Sequence, residues 1–313
     1  MTTEITADEA ENFPDKPILE NDASSIKKSL GSVILYFAVY LLLFKMDLER
    51  IFVLIGVIFV HELGHFLAMK LYGYNDVKMF FVPFMGAFVS GTKLKATAKE
   101  KSVMILAGPV PGIIAGIALL FWNMDEGTPL MKYVAETLIY INVFNLLPFN
   151  PLDGGRLMET LFFSTKETLK ITFYIISGIV MAVIAFYFKI YLLLMFPLMI
   201  PGYFIARSQN KKIKQRLEEK GIDYNKQYDE LTNKEYWQIR DQIIITKEQF
   251  NSVPLHTYKV SKYEKQLDAL IHGLCLKSND TSMSIPLKLL FTTVWLVTFI
   301  GAFAALIIAH ITV

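Results

Sequence analysis

IFVLIGVIFVHELGHFLAMKLYG, residues 51–73, decides how the rest of the chain is read. It is long and apolar enough to cross a bilayer, which takes about 20 such residues. Ten positions in, however, it carries His61, Glu62 and His65. Ionisable side chains at that depth cost several kcal/mol unless they are paired, hydrated or bound to a metal, so a functional reading is the default. On a helix, residues four apart share a face. Two imidazoles so placed occupy two positions on a Zn²⁺ ion, with Glu62 beside them as a base for the metal's water.

Working outward, the 313 residues are 53% hydrophobic, with a mean hydropathy of +0.40. A water-soluble domain of that composition would expose too much apolar surface, so the chain reads as a polytopic membrane protein. Seven windows are apolar enough to span: 30–47, 51–72, 102–122, 131–163 with a break near its middle, 169–187, 190–206 and 286–309. Residues 1–26 hold seven acids and only Lys16, unlike a cleaved leader with its basic start. With spans alternating in direction, one side collects 17 Lys and Arg residues in the tail and connections, the other only four. That asymmetry places the N-terminus in the cytoplasm and the C-terminus outside. The single cysteine, Cys275, excludes a disulfide framework and any multi-cysteine zinc site.

The organisation expected is an all-α polytopic protein in four parts. Residues 1–29 form a short polar, mobile cytoplasmic tail, and residues 30–206 a six-span core. Within the core, Val77–Ala96 is apolar but punctuated by Pro83, Gly86 and Gly91, which predicts a membrane-associated β-hairpin. Residues 207–284 are polar, with capping-box patterns at Thr232–Glu235 and Ser261–Glu264 that predict short helices in a small cytoplasmic domain. Residues 285–313 supply a seventh span.

A catalytic zinc site takes three protein ligands and one open position. The other histidines, His256, His272 and His310, fall in the polar domain or at the end of the last span, which leaves a carboxylate from the core. Asp153 and Glu159 lie toward the inner end of the fourth span, which runs parallel to the second. Asp153 is preferred for its setting, NLLPFNPLDGG (145–155), where Pro148 and Pro151 interrupt the helix and Gly154 and Gly155 allow a close turn. The competing role for Asp153 is a helix N-cap. Gly108, Gly112 and Gly116 read as a helix-packing stripe.

HELGH in one span and NxxPxxPLDGG two spans later resembles the site-2 protease family of intramembrane zinc metalloproteases. The matching positions are His61, Glu62, His65, Asn145, Pro148, Asp153 and Gly154, and LAGPVPGIIAG (106–116) is similar to that family's small-residue third span. The resemblance covers residues 30–206. It implies one Zn²⁺ on His61, His65 and Asp153, Glu62 as catalytic base, and regulated intramembrane proteolysis of transmembrane protein or peptide substrates. An unwound substrate could add to the hairpin edge, and Asn145 could hydrogen-bond it. The alternatives are packing of the hairpin on the core and a helix–helix hydrogen bond for Asn145. The expected location is a multi-pass position in lipid, in the plasma membrane of a prokaryote, with no nucleic-acid partner. A transporter or a membrane-helix-binding scaffold is the alternative function. A transporter would not need HExxH, and a scaffold need not keep Glu62 and every ligand.

Overall fold

The computed structural model describes residues 13–17, 24–44, 47–82, 86–93, 96–163, 166–275 and 283–311. Most of the predicted tail and the hairpin tip at Pro83 lie outside the described residues. The protein is mostly helical, with one small sheet, and divides into two compact units. Residues 22–201 and 280–313 make one; residues 1–21 and 202–279 make the other.

The larger unit opens with α1 (Ser24–Phe44) and α2 (Leu48–Leu71). Strands β1 (Asn75–Val82) and β2 (Gly86–Thr92) follow as an antiparallel pair in which Phe80 faces Phe88 and Val82 faces Gly86. The amide of Phe81 donates to Ser32 Oγ on α1 at 3.0 Å, which occupies one edge of the hairpin. Next come α3 (Ala98–Ala107), started by a Thr97–Glu100 capping box, and α4 (Pro109–Glu126), which together make one long apolar segment. α5 (Pro129–Asn145) then stops where the Pro-containing loop begins. The chain restarts as α6 (Asp153–Met158), widens into a π-turn over Glu159–Phe163, and continues through α7 (Glu167–Tyr187) and α8 (Met195–Leu198). The final helix, α12 (Ile285–Ile311), packs Phe291, Ala302 and Leu306 into the same core as Ile113, Ile139 and Leu146. Trp295 Nε1 donates to the Leu146 carbonyl at 2.8 Å.

By length and composition, five helical segments among the described residues can cross a membrane: Leu48–Leu71, Ala98–Trp122, Glu167–Tyr187, Tyr191–Glu219 and Ile285–Ile311. The protein is an integral membrane protein. Of the two further predicted windows, the first lies in α1, and the fourth is split into the 17 residues of α5 and the short α6.

The smaller unit contains the polar part of α9 (Ile200–Glu219), α10 (Asn233–Thr246) and α11 (Glu264–Leu274) around Ile213, Trp237, Ile243, Phe250 and Leu267. Thr232 and Glu235 form the predicted capping box of α10. At the second predicted box, Glu264 does bond back to the Ser261 amide at 3.0 Å, but the helix begins only at Glu264. The reciprocal half of the box is missing, because Ser261 Oγ accepts from the Tyr263 amide and the Glu264 amide goes to the Ser261 carbonyl. Glu264 also forms a forked ion pair, at 2.7 and 2.9 Å, with Arg240, which is only 1% exposed.

Candidate metal centre

α2 presents His61 and His65 on one face, as their four-residue spacing requires. α6 delivers Asp153 to the same point, because helix α5 ends and the loop from Leu146 to Leu152 turns back. His61 Nε2 and His65 Nε2 are 3.2 Å apart, and each lies 3.1 Å from Asp153 Oδ2. Exposure is 4% for His61 and 6% each for Glu62 and Asp153. Glu62 follows His61 directly on α2 and is not one of these three converging donors.

The outward-facing nitrogens explain what the inward-facing ones can do. His61 Nδ1 lies 2.7 Å from Asn142 Oδ1 on α5, and His65 Nδ1 lies 2.7 Å from the Met104 carbonyl on α3. The Asn142 amide is oriented by its Nδ2, which donates to the Leu138 carbonyl at 2.7 Å. Both partners are therefore acceptors, so in the neutral rings Nδ1 carries the hydrogen and Nε2 presents a lone pair inward. Two such nitrogens and a carboxylate oxygen, 3.1–3.2 Å apart, repel unless a cation lies between them. For Zn²⁺ at its usual 2.0–2.2 Å from N and O ligands, the edges of an ideal tetrahedron would be about 3.4 Å. The donor set fits zinc. The paired Nδ1 contacts are those that orient metal-binding histidines and fix their tautomers.

Two glycines of the small-residue stripe do more than let helices approach. A Cβ at Gly108 would lie 2.4 Å from His65 Nε2, and one at Gly112 would lie 2.3 Å from Asn142 Nδ2. Any other residue at either position would displace His65 or the Asn142 side chain that holds His61.

Glu159, the competing carboxylate, pairs instead with Lys170 of α7. Asn145 is half-buried, and its Nδ2 donates to the Ile141 carbonyl of its own helix at 3.0 Å rather than across to another helix. The residue missed from the sequence is Asn142, three positions earlier and fully buried. Its only signal was another amide within the apolar α5 segment. The Met104 contact uses a backbone carbonyl and leaves no signal at all.

Residues 49–138 match the model of Peptidase family M50. The resemblance to site-2 proteases is borne out. The M50 segment holds His61, Glu62 and His65 but stops short of Asp153, which joins them only through the fold. A zinc metalloprotease of Methanocaldococcus jannaschii is 32% identical over 129 residues, 39% of this chain and 37% of that protein. Stage IV sporulation protein FB of Bacillus subtilis is 29% identical over 119 residues, 37% of this chain and 41% of that protein. The chain thus spans about two-fifths of the length of these curated relatives. A solved structure of a site-2 protease from Methanocaldococcus jannaschii aligns with 56% of this chain and 87% of its own, at 24% identity and a TM-score of 0.42.

Proposed function

We propose that this protein is an intramembrane zinc endopeptidase that hydrolyses peptide bonds of membrane-spanning substrates. The observation that carries the reading is the 3.1–3.2 Å triangle of His61, His65 and Asp153, formed inside apolar helices next to the buried Glu62. Zn²⁺ held there would act as a Lewis acid and lower the pKa of water to about 7. Glu62 takes the proton of the attacking water and returns it to the leaving amine. A substrate helix hides its peptide bonds and must unwind to be cut. Among the described residues the sheet has two strands, so the outer edge of β2 can pair with an unwound segment. Asn145 is close enough in sequence to the ligand loop to hydrogen-bond that segment. Glu62→Gln tests the assignment: zinc content stays at one ion per chain while cleavage of a model transmembrane substrate is lost. Cleavage at the normal rate would remove Glu62 from the mechanism.

The same reading gives seven spans, with the N-terminus and the polar unit in the cytoplasm and the C-terminus outside. The charge asymmetry of 17 against four supports it. So does the packing of residues 13–17 in the same unit as residues 202–279, which requires an even number of crossings between them. The organelle-free setting, a prokaryotic plasma membrane, is part of the proposal. Reporter fusions at 240 and at 313 should behave oppositely; the same behaviour at both would remove the last span.

A further inference from the structure

The predicted mobile tail contains a segment that is not loose. Phe13-Pro14-Asp15-Lys16-Pro17 forms neither helix nor strand, and its sequence keeps it out of a helix. Each proline fixes its own φ near −65° and disfavours the helical region for the residue before it, here Phe13 and Lys16. Such a segment loses little conformational freedom on docking, as proline-rich ligands generally do.

The surface that receives it reads main chain as well as side chain. Asn233 and Trp237 are four apart on α10 and so share a face. Trp237 Nε1 donates to the Pro14 carbonyl at 2.7 Å. Asn233 makes two contacts with one amide: Oδ1 accepts from the Lys16 backbone N–H at 3.3 Å, and Nδ2 donates to Asp15 Oδ1 at 2.8 Å. Lys16 Nζ donates to the Tyr228 carbonyl at 3.0 Å and lies 5.3 Å from the centroid of that ring. The Phe13 ring packs 4.9 Å from Tyr258 and joins the core of the unit. Four consecutive residues, Phe13 to Lys16, are thus engaged by an aromatic shelf, two backbone-reading groups and a cation site. This is the anatomy of peptide recognition rather than incidental contact.

We infer that the polar unit is a peptide-recognition module, specific for an aromatic–Pro–Asp–Lys segment, whose ligand is residues 13–16 of the same chain. The tether makes docking intramolecular, at an effective concentration reaching the millimolar range for short linkers, so a free peptide competes poorly with the intact chain. The test therefore uses the full chain in detergent in two steps. Hydrogen exchange of the Lys16 amide, which donates to Asn233, should be slow in the wild type at every protein concentration. It should accelerate at least tenfold in Asn233→Ala, while the amides of α11 keep their rate. A synthetic peptide of residues 10–19 should then bind a full chain carrying Phe13→Ala and Lys16→Ala, and a scrambled peptide should not. Adding Asn233→Ala to that chain should weaken binding at least tenfold. An unprotected Lys16 amide in the wild type, protection lost on dilution, or equal binding of the scrambled peptide would each overturn the inference.

Discussion

Replacing Asn142 by Leu removes the acceptor of His61 without touching a ligand. Both residues are buried, Asn142 at 0% and His61 at 4% exposure, so no water replaces the lost partner. Leaving the Nδ1–H of His61 unpaired costs about 1–3 kcal/mol. Loss of a group that orients a ligand typically lowers metal affinity about 10- to 100-fold, or roughly 1.4–2.8 kcal/mol, and the two routes agree. Leu also fits the helix, so the fold should survive. Competition for zinc against a chelator, in detergent, measures the effect directly. Asn142→Leu should weaken zinc by that factor, and Asn145→Leu should leave it within about twofold, because Asn145 bonds its own helix and not a ligand. Zinc held as tightly by Asn142→Leu as by the wild type would refute the role given to the 2.7 Å contact.

Asp153→Ala should lower zinc occupancy while Glu159→Ala should not, since Glu159 is paired with Lys170; elemental analysis decides, and the opposite pattern would exchange their roles. In the polar unit, burial pushes the Glu264 carboxyl up, but its bonds from Arg240 outweigh this and hold it below its ordinary 4.5. A depressed carboxylate contributes stability above its unfolded value and loses it as pH falls through the folded one. Unfolding followed by circular dichroism should therefore show this unit weakening as pH drops below 4.5. Glu264→Gln should lessen that acid dependence, leaving the share of Glu235, which is also held down, and should cost about 3–5 kcal/mol at neutral pH, because it strands a buried arginine. An unchanged pH profile in the variant would count against the pair.

What could be read from the sequence was whatever is written in local spacing. His61 and His65 announce a shared face by being four apart, and the prolines and glycines around Asp153 announce a broken helix that can turn back on itself. The hairpin was legible from its glycine punctuation, and the start of α10 from Thr232 and Glu235. Facts of rotation and register were not legible. Asn142 and Asn145 are three positions apart in the same helix, and only the rotation of α5 against α2 decides which one meets His61. The Met104 carbonyl belongs to the backbone and could come from any residue. Gly108 was visible as a small residue, but its closeness to His65 depends on how the α3–α4 junction crosses α2. The docking of Phe13 and Lys16 was hidden because their partners lie more than 200 positions away.

The bond from Trp295 to the Leu146 carbonyl joins the last helix to the start of the loop that carries Asp153. Synthesis runs from the N-terminus, so both imidazoles and the carboxylate exist long before residue 295 is made. Until then the loop lacks this tie and the packing of α12 behind it. A half-made chain in the membrane thus holds His61, His65 and Asp153 before it holds the brace behind the loop. The order of the helices therefore sets an order of assembly: the three converging donors come first and the tie that backs their loop comes later.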